Sequence, residues 1–173
     1  MIVRMTQSNI NDYNKANEGF AVYGRIVPKY EDGTWSYTEE IFKEQYNKQY
    51  DMENIDKSYI EDKNKVVYFY YDEDNCVGQI RLRTNWNGFG FIDDIAVAKN
   101  SREKGIGTVL INKAVDWATQ NDLIGLMLET QDVNLSACRF YAKNNFIIGA
   151  VDCMLYSKFT TANEKAIYWY NRF

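Results

Sequence analysis

The order of patterned segments in the second half of the chain constrains the fold more than any other feature. The run "WNGFGFIDDIAV" turns at Asn87-Gly88 and then reads as a strand up to Val97. After the charged bend "SREKGIG" come residues 106–120, where Ile106, Leu110, Ala114 and Trp117 recur at i, i+4, i+8 and i+11 on one helical face. "LIGLMLET" is almost unbroken in its apolarity, as a buried strand is. "NLSACRFYAKNN" predicts a second helix, with Asn134 placed to cap it and Asn145 suited to the left-handed residue that ends it. Two β-rich runs, "FIIGAVDCMLYSKF" and "KAIYWYNRF", close the chain, and upstream "KVVYFYYDEDNCVGQIRLR" is a hairpin around the acidic turn "DEDN". Hairpins followed by strand, helix, strand, helix, strand, strand define an α/β (α+β) chain with a mixed, mostly antiparallel central sheet flanked by helices.

The first third is polar and rich in tyrosine. "FAVYGRIVPKY" and "TWSYTEE" read as two strands around the tight turn "EDG", and "NINDYNKAN" as a short helix. Residues 39–62 space their apolar positions at three and four, which predicts a helix or two exposed on one side. No repeat, linker or low-complexity tract interrupts the 173 residues, so a single domain with one core is expected.

A net charge of −4 argues against the phosphate attraction that nucleic-acid binding needs and suits a cationic partner. Cys76, Cys138 and Cys153 show no metal-like spacing, and no apolar run reaches the length of a signal core or a membrane span. A reduced, cytoplasmic protein is expected, with no metal and no membrane partner. The absence of histidine removes the commonest general base near neutral pH, so any acid or base must be Asp, Glu, Tyr, Lys, Cys or water.

A helix leaves its first amides unpaired, and with the helix dipole they form an anion site. In "SREKGIG" the glycines Gly105 and Gly107 stand beside Arg102 and Lys104 at such a start, where a pyrophosphate would fit. Taken alone, the same residues also make an ordinary turn with solvated cations. The third glycine of a dinucleotide fingerprint is missing, as is the Lys-Ser/Thr of a P-loop.

"REKGIG", after a strand ending "DIAV" and at a helix start, resembles the Arg/Gln-x-x-Gly-x-Gly/Ala signature of the GNAT acyl-CoA N-acetyltransferases. The second half of that pattern follows, with Asn134-x-x-Ala137 opening the next helix and Phe140-Tyr141-x-Lys143-x-x-Phe146 ending it; Asn145 replaces the usual glycine. Over nearly the whole chain, "VPKYEDGTWSYTEE", "CVGQIRLRTNWNGFGFIDDIAV", "GLMLETQD" and "EKAIYWYNRF" are similar to the streptothricin acetyltransferases, a family that acetylates the β-lysine moiety of that antibiotic.

The resemblance implies a GNAT-like fold, acetyl-CoA as co-substrate, and a small cationic amine, streptothricin, as acceptor, which would confer antibiotic resistance. Acetylation of lysine-like metabolites or protein lysines is the alternative, and a homodimer is left open. The resemblance also implies an acceptor-side segment over 1–64, an acetyl-CoA-binding core over 65–157 and a C-terminal strand over 158–173. The pantetheine arm would pair along Ile95, Ala96 and Val97, and the pyrophosphate would meet the amides of Arg102, Glu103, Lys104, Gly105, Ile106, Gly107 and Thr108. Asn134 and Lys143 join this set, Asn134 with the equally good role of helix cap. Tyr141 matches the family's general acid toward the departing thiolate.

The nucleophile must be a neutral amine, so a proton has to leave. Asp93, Asp94 and Glu129 are the candidate acceptors, with electrostatic capture of the cation as the alternative role for all three. Strand alternation lets only one of Asp93 and Asp94 face the cleft, and Asp93 is favoured. Trp35, Tyr37, Glu39, Glu40, Trp86, Tyr168 and Trp169 offer carboxylates and π faces to a cationic acceptor.

Overall fold

A computed structural model describes residues 1–173. In chain order the elements are β1 (Ile2–Arg4), β2 (Phe20–Glu31), β3 (Thr34–Lys48), α1 (Ser58–Glu61), β4 (Lys65–Asp72), β5 (Asn75–Thr84) and β6 (Gly90–Val97). They are followed by α2 (Ile106–Gln120), β7 (Gly125–Gln131), α3 (Leu135–Lys143), β8 (Ile147–Asp152) and β9 (Ala166–Arg172). The chain folds into two compact units, one of Met1–Glu18, Gln49–Leu126 and Phe173, the other of Gly19–Lys48 and Met127–Arg172.

In the first unit the strands are hydrogen-bonded in the order β1-β4-β5-β6, each pair antiparallel. Alternation along β5 sends Gly78, Ile80 and Leu82 to one face and Gln79, Arg81 and Arg83 to the other. α2 covers the first face with the stripe Ile106, Leu110, Ile111, Ala114, Trp117 and Ala118, all buried. Its approach is close enough that a Cβ on Gly78 would meet Ile106 at 3.1 Å and Leu110 at 3.3 Å. The opposite face carries a smaller core of Met5, Tyr59, Val67, Phe69 and Cys76, with Tyr13 and Ile55 packed against it.

In the second unit β9 lies between β7 and β8, and β2 and β3 form a separate antiparallel ribbon. The ribbon turns through Asp32 (φ 50°) and Gly33 (φ 80°), the pair of positive φ angles that a two-residue hairpin requires. The backbone N–H of Ile26 donates to the Asp132 carbonyl at 3.0 Å, and Lys48 meets the Glu164 carboxylate at 2.5 Å. Both hold the ribbon within its unit.

The hairpin at 65–84, the strand 90–97, both long helices and the strand at 125–131 lie where the pattern puts them. Three expectations are corrected. Residues 39–48 are not helical: they continue β3 and pair with β2 as far as Phe20↔Lys48, because the turn at Asp32-Gly33 fixes a register that overrides local helix preference. Only the single turn α1 remains of the helix expected over 39–62. The helix expected within 9–17 is a 3-10 turn, Ile10–Asp12. The strand expected over 146–159 stops at Asp152, whose Oδ1 accepts from the N–H groups of Met154 (2.7 Å) and Leu155 (3.0 Å) and so turns the chain out of the sheet. Cys76 and Cys138 are buried thiols and Cys153 an exposed one. No helix is long and apolar enough to cross a membrane.

Candidate active site

The bend after β6 first makes a 3-10 turn at Lys99–Ser101, then passes through Glu103 (φ 63°) and Gly105 (φ 84°) into α2. A Cβ on Gly105 would meet nothing within 4 Å, so conformation alone calls for glycine there and the space over the helix start is open. No side chain caps the first amides of α2, and no acidic residue stands in its first turn. Those amides therefore suit an anion. Arg102 does not extend toward it: its guanidinium turns back to the carbonyls of Val97 (2.8 Å) and Glu18 (3.1 Å) and fixes the bend. The Glu18 carboxylate accepts from the Lys99 N–H on the same stretch. Glu103 and Lys104 are exposed, Gly107 and Thr108 half-buried, and Ile106 is buried in the α2 stripe.

Along β6, Ile95, Ala96 and Val97 pair with Ile80, Gln79 and Gly78 of β5. Just before them the register shifts: Asp94 opposes Arg81 and Ile92 opposes Leu82, which leaves Asp93 as an extra residue, a β-bulge. The bulge resets the alternation. Asp93 accepts from Arg83 Nε (3.0 Å) and from the Tyr59 hydroxyl (3.2 Å), while Asp94 accepts from Gln79 Nε2 (2.5 Å). Gln79, Arg81 and Arg83 share one face of β5, so both carboxylates face that side, and the expectation that only one could do so is corrected.

This polar face is tightly knit. Arg81 pairs with Glu53 at 2.6 Å and lies over the Tyr59 ring, 5.7 Å from its centroid. Gln79 Oε1 takes the Asn14 N–H at 2.8 Å. Burial pushes the Asp94 carboxyl above its ordinary range, against the pull of Gln79 and Arg81.

In the second unit Asn134 caps α3, its Oδ1 accepting from the Ala137 N–H at 3.2 Å, and Asn145 takes the left-handed conformation (φ 65°) after the helix. Lys143 is exposed in the last turn, where a cation complements the helix dipole. Tyr141 is buried among the rings of Phe140 (5.5 Å), Phe146 (5.8 Å) and Trp169 (6.2 Å). Glu129, on β7, is half-buried between the buried Leu128 and Thr130, and burial pushes its carboxyl up. The Tyr156 hydroxyl donates to Glu129 Oε1 and draws the carboxyl back down, while no lysine or arginine pairs with Glu129. Tyr156 escapes sequence reasoning, because it lies in the irregular segment after β8 and only the folded contact marks it.

The acceptor-side residues separate. Glu39 and Glu40 are already paired, with Arg139 and with Arg25 (2.8 Å) respectively. Trp169 is a core residue in edge contact with Tyr37 (6.2 Å), Trp35 packs on Tyr30 (5.0 Å), and Trp86 is 93% exposed. The Tyr168 hydroxyl is pushed up by burial and by the nearby Glu129 charge.

Residues 34–146 match the model of the acetyltransferase (GNAT) family, and the chain belongs to that family, an enzyme class that transfers acyl groups. Over all 173 residues, covering both chains completely, it is 57% identical to streptothricin acetyltransferase A of Bacillus subtilis (strain 168). It superimposes with a TM-score of 0.94, at 33% identity and over 100% and 99% of the two chains, on a Bacillus anthracis str. Ames protein assigned as a streptothricin acetyltransferase and crystallised with acetyl coenzyme A. A nourseothricin acetyltransferase shares the fold, with a TM-score of 0.84 at 19% identity over 99% and 97% of the chains. The mixed α/β architecture, a mostly antiparallel sheet with few helices, is the one these structures have.

Proposed function

We propose that the chain transfers the acetyl group of acetyl-CoA to an amino group on the β-lysine moiety of streptothricin, and so confers resistance to that antibiotic. The observation that carries this reading is the 57% identity over the full length of both chains to a streptothricin acetyltransferase. The uncapped start of α2, with open space above Gly105, supports a seat for the CoA pyrophosphate on the amides from Arg102 to Thr108. The arm would run along Ile95, Ala96 and Val97, with Asn134 and Lys143 as polar contacts. Residues 65–157 serve as the donor-binding core and residues 1–64 as the acceptor side.

The amine nitrogen attacks the thioester carbonyl, the C–N bond forms, the C–S bond breaks and CoA leaves as a thiolate. Tyr141 gives that sulfur its proton. A free phenol near pKa 10 is a weak acid, so the fixed placement of its ring between Phe140, Phe146 and Trp169 supports the role by holding the donor in one position. An excess of carboxylates over cations favours a cationic acceptor, and the free thiols of Cys76, Cys138 and Cys153 support a reducing, cytoplasmic setting.

The test is CoA thiol release with streptothricin in competition with lysine-bearing peptides and free lysine. Streptothricin is expected to be preferred by kcat/KM. Preference for the peptides or for lysine would replace the antibiotic with those acceptors and overturn the proposal.

A further inference from the structure

The acceptor amine arrives mostly as an ammonium, since a lysine-like amine near pKa 10.4 is neutral in roughly one molecule per thousand at pH 7. A group that takes its proton needs a lone pair free of strong donors and a place where solvent and substrate reach it. The three candidate carboxylates differ sharply on this. Both oxygens of Asp93 are engaged, one by a guanidinium and one by a phenol. Asp94 is held by Gln79 at 2.5 Å, beside Arg81. Glu129 has the Tyr156 hydroxyl on Oε1, pairs with no cation, and lies only partly buried, which leaves Oε2 available.

We propose that Glu129 is the proton acceptor for the attacking amine, and that Tyr156 is the positioning residue that fixes the Glu129 carboxylate through its hydroxyl. The inference rests on the acetyl-transfer reading above. The ammonium gives one proton to Glu129, which passes it to solvent. The second proton, shed from nitrogen as the C–N bond forms and the C–S bond breaks, replaces the one that Tyr141 delivers to sulfur. Net, the ammonium and the thioester become the amide, CoA thiol and one released proton.

The environment suits this role. Burial raises the Glu129 carboxyl above its ordinary range, which makes its carboxylate a stronger base, and the Tyr156 hydrogen bond limits that rise by favouring the charged form. The Glu129 charge also acts on Tyr168 of β9, as do Asp152 and Tyr170. Tyr156 is buried, so replacing its hydroxyl by hydrogen keeps the ring packing.

The test compares kcat/KM against pH for the wild type, Tyr156→Phe and Glu129→Gln with streptothricin, alongside carboxyl NMR titration of Glu129 in the free protein. Tyr156→Phe is expected to move the ascending limb to higher pH by about one unit, with the plateau beyond it retained. Glu129→Gln is expected to remove that limb and lower the plateau about 100-fold. The substrate amine titrates alike against all three proteins. A Tyr156→Phe profile that drops equally at every pH, with an unmoved Glu129 titration, would reduce Tyr156 to packing. Survival of the limb in Glu129→Gln would overturn the proton-acceptor role. If the folded wild type does not acetylate streptothricin, the functional reading falls and the role of Glu129 falls with it, while the NMR titration still decides whether Tyr156 controls Glu129.

Discussion

Tyr141 and Asn134 sit seven residues apart on one short helix, and their substitutions should separate chemistry from scaffolding. Tyr141→Phe keeps the ring contacts to Phe140, Phe146 and Trp169 and removes the hydroxyl. Its kcat should fall on the order of 100-fold with little change in KM for acetyl-CoA, measured by thiol release at saturating acceptor. Unchanged turnover would remove Tyr141 from the acid role. Asn134→Ala deletes the cap on the Ala137 N–H, and a loss of about 1 kcal/mol is expected from urea titration. A larger drop in acetyl-CoA affinity than that instability explains would indicate that Asn134 also touches the donor. The Asn134 cap was legible because it sits at a fixed place in a helix whose ends are written in its sequence, whereas Tyr141 was singled out only through the family resemblance. Tyr156 was not legible, since its partner Glu129 lies 27 residues away and on a different element.

At the scale of elements, what could be read was whatever carries its own punctuation. α2 has a continuous apolar stripe between Gly105 and Asn121, and the β4–β5 hairpin turns on its acidic pair, so both fall where expected. The tail of β3 was missed for the converse reason. Residues 39–48 hold Glu, Lys and Gln among Ile41, Phe42 and Tyr46, a mixture that a helix also accepts, and only pairing with β2 decides between the two. The bulge at Asp93 was equally hidden, because alternation is the default assumption for a strand and nothing in "FIDDIAV" announces an extra residue. Gly105→Ala tests the bend before α2. With φ at 84° and open space around the Cβ, the cost should be about 1–2 kcal/mol of stability from the left-handed conformation, read in the urea midpoint. If stability is unchanged, the bend has a second conformation that alanine tolerates.

For the molecule as a whole, the pH dependence of stability follows from carboxyls shifted in opposite directions. Asp94, Glu129 and Asp132 are raised by burial, so their contribution to folding is fully present below the ordinary carboxylate range and is lost as pH rises through their raised values. Asp12 is lowered by its bonds to Lys15 and Tyr71, so it works the other way, losing its contribution as pH falls, though weakly because Lys15 is well exposed. Asp94→Asn should therefore gain on the wild type in urea midpoint as pH rises above the ordinary aspartate value of about 4. A gap that does not change with pH would show that Gln79 and Arg81 fully offset the burial of Asp94.

The distribution of thiols has a practical bearing on every such assay. Burial pushes Cys76 to about 11 and Cys138 to about 12, which keeps both protonated and shielded, whereas Cys153 stands in solvent three residues before Tyr156. A chromogenic disulfide reagent that counts released CoA will count one protein sulfur per chain as well, and a reagent attached at Cys153 becomes a bulky neighbour of the segment that carries Tyr156. Serine at position 153 gives the clean blank.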